Sequence, residues 1–88
     1  GMYLERRDHH SIAMYQINYF FEYLRTDLLI ATGQRDATFL ERVHLKSGKS
    51  REETKRLFEF IEMILGAKTV TQEQLIRLNK LIEAFKNK

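Results

Sequence analysis

The segment HLKSGKSREETKRLF, residues 44–58, decides how this chain folds. Gly48 follows an apolar-periodic run, where a left-handed residue ends a helix, and Ser50 opens a new one with Glu53 three positions on. Two structures answer to that pattern: the turn of a DNA-reading helix-turn-helix, or a tight corner in a small helical bundle. The turn Ser47-Gly48-Lys49-Ser50 has the length for the first, and Lys49, Arg51, Lys55 and Arg56 supply cations. Against it, Glu52 and Glu53 stand in the first turn of the would-be reading helix, where phosphates and base edges repel carboxylates. The same carboxylates suit the positive end of a helix dipole. No Asn or Gln early in that helix offers a bidentate contact to adenine. The corner is therefore the favoured reading, and a small DNA-binding protein using residues 38–65 is the alternative.

Working outward, Gly33 and Gly66 also follow apolar-periodic runs and mark two further stops. Thr38 with Glu41 and Thr71 with Gln74 repeat the capping-box spacing of Ser50 with Glu53. Together they predict four helices over about 9–31, 37–47, 51–65 and 72–86. The last helix carries Leu75, Leu78, Ile82 and Phe85 at helical spacing, widened by Ile76 and Leu81. The third presents Leu57, Phe58, Ile61, Ile64 and Leu65, with Lys55, Arg56, Glu59 and Glu62 turned outward. The second offers Phe39, Leu40 and Val43. Each stripe needs a partner to bury it. The expectation is an all-α single domain, a small four-helix bundle in which a long first helix is packed by three shorter ones.

The first helix is apolar over most of its circumference. Ala13, Ile17, Phe20, Phe21, Leu24 and Leu28 form one stripe, and Ile12, Tyr15, Tyr19 and Tyr23 form a second beside it. Only Ser11, Asn18, Glu22 and Arg25 give a polar strip. Such a helix is either wrapped by the other three or partly covered by another chain. If three short helices leave the second stripe open, Tyr15, Tyr19 and Tyr23 become a partner surface with Glu22 and Arg25 at its rim. Tyrosine suits that role, because its ring buries apolar area while its hydroxyl tolerates water. Self-association and docking of a second protein both fit.

Composition narrows the chemistry. The 88 residues bound one domain, and 15 Lys and Arg against 12 Asp and Glu give a net charge of +3, too mild to imply nucleic acid. The absence of Cys excludes disulfides and thiolate chemistry. No apolar run approaches the roughly 20 residues that cross a bilayer. Asp8-His9-His10 is a poor metal site, since adjacent helical side chains diverge by about 100° and His44 is remote in sequence. No nucleophile elbow, phosphate-cradling Gly loop or HExxH motif is present. No enzymatic activity, cofactor or metal is expected. Gly1 before Met2 reads as an expression scar, and the chain is expected to be a fragment of a longer protein.

The segments RRDHHSIAMYQINYFFEYLRT, FLERVHLKSGKSREETKRLFEFI and TQEQLIRLNKLIEAF, in this order, resemble the C-terminal tail of an uncharacterised Bacteroidetes membrane-protein family. The resemblance implies a cytoplasmic helical tail, preceded in the full-length protein by one membrane span and an extracytoplasmic amidotransferase-like domain. It also implies genes lying near those of MoxR-type ATPases and von Willebrand factor A proteins. Arg6 and Arg7 would then sit just inside the inner membrane, as cationic residues do on the cytoplasmic side of a span. The expected role is a non-enzymatic protein-interaction module, with the membrane reached only through an upstream span. The corner segment, residues 44–58, also resembles the opening helical pair of histone-like bacterial architectural proteins, whose DNA-gripping strand arms have no counterpart here.

Overall fold

Helices begin where side chains can satisfy free backbone N–H groups, and the second, third and fourth helices here begin that way. The computed structural model describes residues 4–87, with side chains from residue 9 onward. Four helices follow in order: α1 (Leu4–Thr26), α2 (Ala37–Ser47), α3 (Arg51–Gly66) and α4 (Gln72–Lys86), with no strand among the described residues. The Ser50 hydroxyl accepts from the Glu53 N–H at 3.0 Å, and Thr71 and Gln74 form the full reciprocal box. At α2 the expected Thr38–Glu41 box gives way to Asp36, whose carboxylate accepts from the Phe39 N–H at 3.0 Å. A carboxylate cap also faces the helix dipole, which a threonine hydroxyl does not.

Of the three expected glycine stops, only Gly48 is left-handed, at φ 78°. Gly66 is instead the last residue of α3, followed by an extended Ala67. The first helix ends at Thr26 rather than near residue 31, and the left-handed residue after it is Leu29 (φ 57°), not Gly33. The reason is tertiary. Ile30 is drawn into the core, 1% exposed, and its N–H donates to the Leu24 carbonyl at 2.9 Å, so the chain leaves the helix before its apolar pattern ends.

The core joins Ile17, Phe20 and Leu24 of α1 to Leu57, Phe58 and Ile61 of α3 and to Leu78, Ile82 and Phe85 of α4. Phe58 stacks on Phe21 and meets Phe39 edge-on at 5.2 Å between centroids, tying α2 to α3. Phe20 meets Phe85 edge-on at 5.7 Å, tying α1 to α4. Such pairs add about 0.5–1.5 kcal/mol to the burial of the rings. α1 packs mainly on α4 and α3, whereas α2 packs on α3 and reaches α1 only weakly. Lys86 lies over Tyr23, and Asn79 shares a groove with Gln16, so α1 and α4 run side by side in the same direction. The first stripe is thus buried from Ala13 to Leu24, with Leu28 beyond the helix partly covered, while Ile12, Tyr15 and Tyr19 of the second stripe face solvent and Tyr23 turns partly into the core.

Candidate functional site

The second stripe of α1 has two different ends. Tyr15 and Tyr19, one helical turn apart, are 64% and 62% exposed, and their rings meet edge-on at 5.0 Å. Ile12 continues the row toward the N-terminus, half exposed. Hydrogen bonding with Tyr15, and next its charge, push the Tyr19 phenol above its ordinary value. Tyr23 behaves otherwise. It is half buried, stacked on Phe20 at 6.2 Å and capped by the Lys86 ammonium 5.6 Å from its ring centroid. The rim residues Glu22 and Arg25 pair with each other at 2.7 Å, and Arg25 also donates to the Thr32 hydroxyl at 2.7 Å. Arg25 therefore anchors the connection after α1 as well as edging the tyrosine row.

Beside the row lies a groove of about 420 Å³ between α1 and α4. Phe20 and Ile82 contribute apolar surface to it, Tyr19 and Tyr23 line one side, and Glu22 and Glu83 bring carboxylates. Gln16 also lines it, and its Oε1 is buried without a hydrogen-bond partner among the described residues. Sequence reasoning passed over Gln16 and Glu83. The available signal was Gln16 itself, a polar side chain set between Ala13, Ile17 and Phe20 on the core-facing side of the helix.

The four cations of the DNA-reading alternative are dispersed. Arg51 forms a two-pronged ion pair with Glu41, at 3.0 and 2.7 Å, which lowers the Glu41 carboxyl below its ordinary value and raises the guanidinium above its own. The Lys49 ammonium donates to the Asn87 carbonyl. Lys55 and Arg56 stay exposed, with Glu52 and Glu53 in the turn before them. The corner consumes its own polar groups too: His44 Nδ1–H donates to the Lys49 carbonyl, and the Lys49 N–H donates to Ser47 Oγ at 3.1 Å. Nothing in this arrangement points to DNA binding.

His9 and His10 are half buried, while the side chains of Arg6, Arg7 and Asp8, and Gly1 and Met2 altogether, lie outside the described residues. Among the described residues no cluster of His, Cys, Asp or Glu could hold a metal ion, and no helix is long and apolar enough to cross a membrane. Compared with known families, residues 1–88 match the model of the DUF4350 C-terminal helical domain. The chain belongs to that family. Membership in the DUF4350 C-terminal helical domain accounts for an all-helical unit and assigns it no activity. No curated protein and no solved structure gives a significant match.

Proposed function

We propose that this DUF4350 C-terminal helical domain is a non-enzymatic protein-interaction module that docks a protein partner, or a second copy of itself, along the tyrosine row of α1. The observation that carries the reading is the exposure of Tyr15 and Tyr19, adjacent in space, on the one face of the longest helix that α3 and α4 leave uncovered. Exposed tyrosine pairs beside a groove are the usual material of interface anchors. The resemblance of the chain to the tails of single-span membrane proteins supports a cytoplasmic position, tethered to the inner membrane through an upstream span. Sedimentation equilibrium, with pull-down from native lysate, tests the docking face by comparing the wild type with Tyr19→Glu. Association or capture lost in the folded variant supports the reading. A monomeric wild type that captures nothing defeats it. An upstream reading frame with a hydrophobic segment of about 20 residues tests the tether.

A further inference from the structure

The ends of α1, α2 and α4 meet at one end of the bundle, where Lys46 reaches Leu28 and Lys49 reaches Asn87. We infer that this end docks an acidic, leucine-bearing segment of a partner protein. An apolar side chain of that segment enters the groove between the end of α1 and the α2–α3 corner, and its carboxylates meet Lys46, Lys49 and Lys86. The inference goes beyond the tyrosine row of α1 and does not depend on it.

The groove holds about 730 Å³, with Tyr23 and Leu28 on one side and Leu45 to Lys49 on the other. The Lys46 ammonium donates to the Leu28 carbonyl at 3.1 Å, and that of Lys49 donates to the Asn87 carbonyl. Lys86, the residue before Asn87, holds its ammonium 5.6 Å from the Tyr23 ring centroid. These contacts gather three cations around one hollow. None of the three belongs to an ion pair among the described residues. An ammonium carries three N–H donors, so Lys46 and Lys49 each keep two for a ligand. Asp27 brings a carboxylate to the lining, and its Oδ1 already accepts from the Thr26 hydroxyl at 2.9 Å.

The two most exposed large apolar side chains among the described residues belong to the same end, Leu29 next to Leu28 at 75% and Leu45 in the lining at 66%. Leu29 is also the one described residue other than glycine with a left-handed φ. Burial of Ile30 explains the turn there but not a leucine at it, because glycine takes that backbone without strain. Strain of this kind gathers at ligand clamps, and apolar groups rimmed by charge mark interaction sites. Other occupants fit worse. A phosphate backbone would leave Leu29 and Leu45 in water, and a flat lipid surface would leave the hollow between Tyr23 and Leu45 unfilled. A two-fold pairing of copies would set these lysines against their own counterparts.

The test is an NMR titration of the whole chain with an acetylated, amidated hexapeptide of two leucines flanked on each side by two glutamates. Its control is the same peptide with glutamine for every glutamate. Saturable shifts at Leu28, Leu45 and Lys49 are expected for the acidic peptide, weakening as salt rises, with about tenfold weaker binding of the neutral one. Lys46→Gln combined with Lys49→Gln should weaken binding several-fold. Leu29→Gly should also bind several-fold less tightly while melting no lower than the wild type, a combination that a leucine of purely structural role does not give. Tyr19→Glu should bind the peptide as the wild type does. No saturable shift, equal binding of the two peptides, or wild-type binding by both the lysine and the Leu29→Gly variants overturns the inference. Co-sedimentation with phosphatidylserine–phosphatidylcholine vesicles in the absence of peptide binding gives this end to a lipid surface and overturns it too. So does a concentration-dependent shift of the same residues without peptide, which gives it to a second copy.

Discussion

Between α2 and α3 the chain turns through residues 47–50 on side chains that suit the geometry, whereas between α1 and α2 it takes residues 27–36 and sets Leu29 at φ 57° while Gly33 goes unused. The first corner is written locally. Gly48 adopts the left-handed conformation that costs other residues about 1–2 kcal/mol, and Ser50 caps the next helix. The second is held from a distance. Ile30 is pulled into the core, Arg25 reaches Thr32, and Arg35 spans from the Thr32 carbonyl to Glu62 while lying over the Phe21 ring at 4.9 Å. Burial of one isoleucine thus outweighs the backbone cost at Leu29, itself 75% exposed.

The sharpest way to break this contrast is Ile30→Ala. If tertiary burial sets the α1–α2 connection, the loss should be about 2–5 kcal/mol in denaturant unfolding, the range for emptying a core site. A loss near zero would mean that the loop is locally determined after all. Next, Gly48→Val should cost about 1–2 kcal/mol, while Gly33→Val should stay within about 0.5 kcal/mol. An added Cβ meets nothing within 4 Å at either glycine, so only the backbone at Gly48 distinguishes them. Thermal melts of the pair decide the matter.

Leu29→Gly should act in the opposite direction, raising stability by about 0.5–1 kcal/mol as relief of the left-handed leucine exceeds the added freedom of the unfolded chain. The smallest effect belongs to the Arg51–Glu41 pair at the local corner. Its carboxyl is depressed in the folded state, so its contribution is complete above the unfolded carboxylate pKa. That contribution disappears as pH falls through the lower folded value. Arg51→Gln should return the Glu41 midpoint, followed by NMR, upward to its ordinary 4.5.

What the residues alone disclose follows the same division. The stretch from α2 to α4 is legible because propensity, capping and apolar spacing agree there: Ser50, Thr71 and the Leu57–Phe58–Ile61 stripe sit where pattern places them. The end of α1 is not, because the apolar run continues through Leu28 and Ile30 without revealing that Ile30 packs from outside the helix. Of the candidate surface, Tyr15 and Tyr19 could be read from their helical spacing. The partial covering of Tyr23 could not, since it depends on Lys86 some sixty positions away, and neither could the groove that Gln16 and Glu83 both line.

The tyrosine row also gives the chain a built-in optical reporter. There is no tryptophan, and of the four tyrosines three lie along α1, two of them in solvent and one against a ring and an ammonium. Intrinsic ultraviolet emission from this protein therefore comes largely from the face assigned to docking. A partner free of tryptophan that seats there will alter the signal of Tyr15 and Tyr19 directly, and Tyr15→Phe and Tyr19→Phe divide that signal between the two rings without labelling either molecule.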